Sequence, residues 1–215
     1  MLLAIDTSTP TVTVAVHDDE GGGDVRSARE ETAQQKHTES LAPTIETALI
    51  EAGVDRRELT RIAVGVGPGP FTGLRVGLVT ARVLGFALAI DVVGVCSLDV
   101  TAQASGATGA TDLVVAHDAR RREVYWARYA AGRRAEGPHV GPAADIPAGF
   151  PGAGPGAAMS PEAFTEVLHE QPPSAAVLAR AVVEGTVHLL PAEPLYLRRP
   201  DAVPPSAPKS VLTSR

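Results

Sequence analysis

Hydrophobic positions come in short runs through the first residues of the chain. Three such runs, Leu2–Asp6, Thr11–His17 and residues 25–31, are separated by Thr7-Ser-Thr-Pro10 and by a glycine-rich turn over residues 18–24. Runs of apolar and β-branched residues joined by turn chemistry are typical of hairpins. The opening of the chain therefore predicts two or three antiparallel strands.

A helical period follows these strands. Between His37 and Ala52 the apolar residues Leu41, Ile45 and Leu49 recur every fourth position, and Gly53 is placed to end a helix. This spacing puts the apolar side chains on one helix face. We predict a helix over residues 37–52.

Strands then alternate with helices. Strands are predicted over residues 61–66, 92–95, 113–118 and 123–129, and helices over residues 73–90, 97–104, 161–168 and 175–184. This alternation predicts α/β layers. Residues 132–155 are dense in Gly, Pro and Ala and predict little regular structure, and residues 204–215 predict a disordered tail.

The order of elements restarts after residue 105. A strand ending in Asp118 is followed by an alternating strand, as Asp6 ends the first strand of the chain. This repetition suggests two lobes that begin with the same strand, turn and strand unit. We expect an N-terminal α/β lobe over residues 1–105 and a smaller C-terminal lobe over residues 106–203.

The helix after residue 72 carries two apolar patterns. Small residues repeat every fourth position at Gly73, Gly77, Ala81, Gly85 and Ala89, and a bulky stripe contains Val76, Val79, Val83, Phe86 and Ile90. A helix that is apolar on every side must be covered on every side. A chain of 215 residues has little material to cover both faces, so we predict that this helix binds another protein.

Composition narrows the classes of function. The chain has 44% hydrophobic and 20% charged residues and a formal net charge of -6, which exclude general disorder and a basic nucleic-acid surface over the whole chain. Cys96 is the single cysteine, and Asp6 comes too early for a signal peptide, so we expect a cytoplasmic protein. Because Arg75 and Arg82 interrupt the long apolar helix, we expect no membrane span.

Residues 67–73, GPGPFTG, lie between a predicted strand and a helix, where phosphate-binding loops occur. The segment lacks G-x-G-x-x-G and a Walker lysine, and Pro68 and Pro70 remove two N–H donors. A rigid structural turn is favoured. The scattered histidines lack H-E-x-x-H spacing, so no metal site is expected.

Asp6 and Asp118 each end a strand beside a polar turn, and Thr7 and Ser8 follow the first of them. Two carboxylates placed in this way can hold a metal–phosphate complex between two lobes. The other interpretation, which the spacing alone favours, is that each aspartate only accepts hydrogen bonds from the following turn. The sequence leaves both interpretations open, so these four residues are candidates for a degenerate nucleotide site.

Several segments, taken in order, carry a resemblance to a known family. They are IDTST at residues 5–9, HTESLAPTI at 37–45, GVGPGPFTGLRVGL at 65–78, DARRREVYWA at 118–127 and EPLYLRRPDA at 193–202. Together they are similar to the TsaB (YeaZ) family. The resemblance implies an actin-like, sugar-kinase-like fold of the ribonuclease H-like (ASKHA) type with two related lobes. It also implies a role in making N6-threonylcarbamoyladenosine (t6A) in tRNA.

The resemblance further implies a protein without catalysis, cofactor or metal of its own. Such a protein binds a TsaD-like catalytic subunit, is joined by a TsaE-like ATPase, and forms a homodimer when alone. ATP or ADP and metal are then expected in the partner subunits, and tRNA is met only through the complex. The alternatives are an autonomous ATP-dependent kinase or ATPase using Asp6 and Asp118, and a metallopeptidase.

The family binds its partners through the two helices at residues 37–52 and 73–89. The resemblance implies that this interface includes side chains from both helices. The residues we expect there are Leu41, Ile45, Leu74, Leu78, Ala81 and Arg82.

Overall fold

A computed structural model describes residues 1–19, 23–32, 37–106 and 112–198 of the chain. The first half contains β1 (Leu2–Asp6), β2 (Thr11–His17), β3 (Val25–Thr32), α1 (His37–Ala52), β4 (Arg61–Gly65), α2 (Phe71–Leu88), β5 (Asp91–Val95) and α3 (Ser97–Ala104). The second half contains β6 (Leu113–Asp118), β7 (Glu123–Ala130), β8 (Arg133–Pro142), β9 (Gly152–Ala153), α4 (Pro155–Met159), β10 (Val167–His169), α5 (Ala175–Val183) and β11 (Leu190–Pro191).

The two sheets share one strand order. In the first sheet the order is β11-β5-β4-β1-β2-β3, with β1, β2 and β3 antiparallel and β4 and β5 parallel to β1. In the second the order is β10-β9-β6-β7-β8, with β6, β7 and β8 antiparallel and β9 and β10 following in parallel. The restart seen in the sequence is therefore a repeated supersecondary unit.

Strand β1 forms the centre of the first lobe and is buried along its whole length. Leu3 and Ile5 pack in the cluster that contains residues of α1 and α2, whereas Leu2 and Ala4 pack in the cluster that contains residues of α5. Successive side chains of a strand point to opposite faces. The continuous apolar run Leu2 to Ile5 therefore supplies both layers of the core.

Two segments differ from the sequence-based prediction. Residues 133–142 form the edge strand β8 instead of irregular structure, because their backbone pairs with β7 although few of their side chains are apolar. Only a single 3₁₀ turn, Pro161–Ala163, forms in the predicted helix 161–168, and β10 follows it. Ser160 and Pro161 signal a helix start, but pairing with β9 determines the conformation of the residues after the turn.

The chain returns to the first lobe near its end. Helix α5 packs on β1 and β2, and β11 pairs with β5, although both lie within residues 106–203. The lobe that we expected over residues 106–203 thus shares its last elements with the first sheet. The predicted tail, residues 204–215, lies outside the described residues.

The small residues of α2 lie against the turn after β1. The Thr7 hydroxyl donates a hydrogen bond to the Gly73 carbonyl (2.8 Å) and accepts one from the Gly77 amide (3.1 Å). A Cβ atom added at Gly77 would collide with the Thr7 hydroxyl oxygen. Glycine at this position therefore allows the turn to contact the helix backbone directly.

Replacing Thr7 by valine should test this contact. The Thr7→Val side chain has nearly the same shape but removes both hydrogen bonds, although the Gly77 amide and the Gly73 carbonyl are four residues apart and remain partners within the helix. We expect a loss of about 2 kcal/mol in the free energy of unfolding, about 1 kcal/mol for each hydrogen bond, measured by urea denaturation. The Thr7→Ser control keeps the hydroxyl and should cost only about 1 kcal/mol; equal losses in the two variants would contradict the role of the hydroxyl.

Candidate functional site

Five of the six predicted interface residues lie inside the chain's own core. They are Leu41 and Ile45 of α1 and Leu74, Leu78 and Ala81 of α2, all less than 9% exposed. Their helical spacing places them on the faces that pack on the first sheet. The prediction that they are surface contacts is wrong, and Arg82 alone of the six is exposed.

The small-residue row of α2 is buried as well. Gly73, Gly77, Ala81 and Gly85 face the sheet, and a Cβ atom at Gly85 would collide with the Val92 side chain. The close approach that these residues allow is therefore to the protein's own first lobe. If the helix binds another protein, as predicted, it does not do so through Gly73, Gly77, Ala81 and Gly85.

Three residues of the bulky stripe of α2 face solvent instead, whereas Val76 and Ile90 pack against the core. Val79, Val83 and Phe86 are 59%, 60% and 90% exposed, and Ile50 on α1 is 72% exposed. We call these four side chains the exposed apolar face. Arg75 and Arg82 lie on the same side of α2, and their spacing relative to Val79 and Phe86 is the sequence signal that could have revealed the solvent side.

Helices α1 and α2 place Ile50 and Phe86 at similar heights along their axes. The His37 ring at the start of α1 lies beside Gly73 at the start of α2, and the two helices contact each other. Ile50 and Phe86 are the same number of residues further along their helices, so they lie at similar heights. Exposed Glu46 flanks the face on α1 and exposed arginines flank it on α2, whereas Glu51 is paired with Arg29 of β3.

By length and composition alone, helix α2 could cross a membrane, and 33% of it is buried inside the protein. Its Leu74 and Leu78 side chains are packed in the core with β1 and β4 residues. The helix is thus an integral layer of the first lobe.

Asp6 does not face the space between the lobes. It is 1% exposed; its Oδ1 accepts hydrogen bonds from the Ser8 amide and hydroxyl, both at 2.7 Å, and its Oδ2 accepts one from the Ser97 hydroxyl at 2.6 Å. Burial raises the pKa of the carboxyl, and the hydrogen bonds from Ser97 and Ser8 oppose that shift. The geometry favours the structural interpretation of Asp6, in which its carboxylate organises the following turn.

The loop over residues 67–70 is part of the same assembly. The Ser97 amide donates to the Gly67 carbonyl at 2.8 Å, and a Cβ atom at Gly69 would collide with the Ser8 carbonyl oxygen. The Gly67 amide is also bonded to the Ser97 hydroxyl at 3.3 Å. Glycine at position 69 therefore allows the loop to lie directly on the turn after β1, as expected of a rigid structural turn.

Asp118 lies in a cleft between the two lobes. Its Oδ1 accepts a hydrogen bond from the Arg120 amide at 2.7 Å, and the Arg120 guanidinium lies 3.3 Å from Oδ2. Ser8 and Asp118 line the same cleft, which has a volume of about 220 Å³. Four prolines, which have no N–H donor, also line it: Pro10, Pro70, Pro155 and Pro172. The structure thus brings Ser8 and Asp118 together, whereas Asp6 and Thr7 are occupied within the first lobe.

This cleft is poorly suited to a nucleotide. Its volume is below the usual range for ligand pockets, about 300 to 1,000 Å³, and Arg120 already contacts the Asp118 carboxylate. Among the described residues, no three His, Cys, Asp or Glu side chains come close enough together to hold a metal ion.

A second set of polar contacts connects the lobes. The buried His117 ring of β6 is bonded through Nε2 to the Thr101 hydroxyl of α3 at 2.8 Å, and burial lowers the pKa of His117 to about 3. The Tyr129 hydroxyl of β7 donates to Asp99 of α3 at 2.6 Å. The sequence does not reveal these pairs, because their members come from separate elements.

The strand order and the repeated unit define a class, the two-lobed α/β proteins with an actin-like, sugar-kinase-like fold. A family model described as "TsaD: tRNA N6-adenosine threonylcarbamoyltransferase" matches residues 27–182. The crystal structure of a protein similar to YeaZ from Pseudomonas aeruginosa superposes with a TM-score of 0.74 at 33% identity, over 92% of this chain and 99% of that one. The chain belongs to this family and is a TsaB-like, or YeaZ-like, member, as the resemblance implied.

Two curated relatives agree with this assignment. An uncharacterised protein of Mycobacterium leprae is 45% identical over 96% of this chain and 57% of its own length. The tRNA threonylcarbamoyladenosine biosynthesis protein TsaB of Escherichia coli is 37% identical over 60% of this chain and 54% of its own length. The alignments thus span little more than half the length of these two relatives.

Asp6 variants should separate charge from hydrogen bonding. Asp6→Ala removes the acceptor for three buried donors and should lower the free energy of unfolding by about 3 kcal/mol. Asp6→Asn keeps an acceptor for Ser8 and should cost less. Chemical denaturation at neutral pH compares the two, and an equal loss would contradict the hydrogen-bonded role.

The pH dependence has a definite sign. Because the native pKa of Asp6 is raised above its ordinary value of 3.8, the folded chain holds this proton more tightly than the unfolded chain does. The resulting stabilisation is complete below pH 3.8 and is lost as the pH rises through the native pKa. Denaturation curves across that range should show a larger loss in the unmodified chain than in Asp6→Asn, which retains the loss caused by the raised pKa of Asp99.

Proposed function

We propose that this protein takes part in t6A synthesis in tRNA as a non-catalytic subunit that binds a TsaD-like catalytic subunit. The observation that carries the proposal is the exposed apolar face on α1 and α2. Large apolar side chains that cluster on a surface mark interaction sites, and aromatic residues dominate interface energetics. Phe86, which is 90% exposed, is the central contact.

The charges around the face support a protein partner. Glu46 on α1 and arginines on α2 flank the apolar side chains, and such a polar rim around an apolar centre is typical of protein interfaces. Without the catalytic subunit, a second copy of the chain covers the same face, because acidic α1 of one copy complements basic α2 of the other. A homodimer of the isolated chain follows from this arrangement.

The remaining parts of the complex then supply the chemistry. ATP or ADP and metal belong to the TsaD-like subunit and to a TsaE-like ATPase, which acts with it in the cytoplasm. The formal net charge of -6 makes this chain a poor source of phosphate contacts. Transfer RNA therefore contacts this chain only within the complex.

Substitution of Phe86 tests the interface. We expect Phe86→Asp to abolish co-purification with the TsaD-like protein of the same genome and to reduce t6A in a strain that depends on this chain, because a charge would be buried in an apolar contact. Met159→Asp is the matched control, since Met159 is also an exposed apolar side chain (63%) but lies on α4 of the other lobe. Unchanged co-purification in Phe86→Asp would refute the docking surface.

Calorimetry with Mg-ATP on the isolated chain tests the kinase or ATPase alternative. We expect no binding that depends on Asp118, because the Asp6 carboxylate is occupied within the first lobe and the inter-lobe cleft is small. Tight binding that Asp118→Ala abolishes would favour the enzyme over the scaffold.

A further inference from the structure

A second and larger cavity lies on the other side of the lobe junction from the cleft that contains Asp118. It has a volume of about 750 Å³, within the usual range of ligand pockets. It forms where α3, the β7–β8 hairpin and the segment after α5 meet. Its lining includes Asp99, Gln103, Tyr129, Arg133, Arg134 and His188.

A buried polar cluster forms one wall of this cavity. The Tyr129 hydroxyl donates to Asp99 Oδ1 at 2.6 Å, and Arg134 Nε lies 3.4 Å from the same oxygen. Arg134 also points a guanidinium nitrogen at the Cys96 sulfur, 3.5 Å away. Burial raises the pKa of Asp99 and of Tyr129, and in Cys96 it raises the pKa to about 12. The thiol, which lies behind the wall and not in it, is therefore neutral.

The cavity carries an excess of positive charge. Arg134 compensates Asp99, and no ion pair joins Arg133 to any residue in the described part of the chain. His188 also lines the cavity and lies close enough to Asp99 to interact electrostatically with it. Arginine guanidinium groups match carboxylate and phosphate oxygens in geometry.

We propose that this cavity binds a small organic anion, a carboxylate or a phosphate ester, through Arg133, Arg134 and His188. Tyr129 and Asp99 hold the Arg134 guanidinium in place from behind. A cluster that only joined the lobes would need neither the open volume beside it nor an uncompensated Arg133 at its edge. The site is separate from the exposed apolar face, so this inference and the proposed docking function can fail independently.

Titration calorimetry on the full chain tests the proposal, with inorganic phosphate and malonate as separate probes at constant ionic strength. We expect saturable binding of at least one probe. Arg133→Gln should weaken it about tenfold or more, the usual effect of removing a charged hydrogen-bond donor. Arg57→Gln, a matched change at an exposed arginine outside the cavity, should leave the affinity unchanged.

Asp99→Asn separates a binding defect from a folding defect. Removing the negative charge beside the anion should tighten binding several-fold, whereas damage to the fold would only weaken it. Preference for phosphate or for malonate identifies the source of the anionic group. The proposal is overturned if neither probe binds below about 10 mM, or if Arg133→Gln and Arg57→Gln bind with equal affinity.

Discussion

The contact between the turn after β1 and the backbone of α2 is the constraint on which the rest of the structure depends. The Thr7 hydroxyl bridges the Gly73 carbonyl and the Gly77 amide, while the neighbouring Asp6 carboxylate is bonded to Ser8 and Ser97. The Thr7 contact needs close backbone approach, which explains glycine at positions 73 and 77 of α2. Because the helix is held at this distance and rotation, Leu74 and Leu78 enter the core, and the side chains of Val79, Val83 and Phe86 remain outside.

This rotation has a consequence for function. A helix that is apolar on all sides would be a liability in an isolated chain. Here its inner face is covered by the first sheet, and Val79, Val83 and Phe86 remain for a partner. The same turn that occupies Asp6 also removes that residue from the inter-lobe cleft. One local arrangement therefore supports both the docking surface and the absence of an Asp6 phosphate site in our proposal.

The two lobes have the same strand order, but the aspartate at the end of the first strand has different contacts in each lobe. In the first lobe the aspartate after β1 is buried and bonded within the sheet, whereas Asp118 after β6 is paired with Arg120 at the surface of the cleft. The lobes are joined by polar pairs between α3 and the second sheet, such as Thr101 with His117. These pairs leave a larger cavity beside Asp99, which is the part of the junction with room for a ligand.

The sequence by itself determined the two-lobe α/β architecture, because strands such as Leu2–Asp6 and helices such as His37–Ala52 follow from local periodicity and turn chemistry. It also determined that α2 has two distinct apolar faces. Only the tertiary structure decided which face is exposed, since both faces are apolar and the choice depends on the contact with Thr7 from a distant turn. The same holds for β8, whose polar residues form a strand only because β7 offers its edge, and for the Asp99, Tyr129 and Arg134 cluster, whose members come from three elements. Long-range packing and backbone pairing are the physical terms that local sequence patterns do not contain.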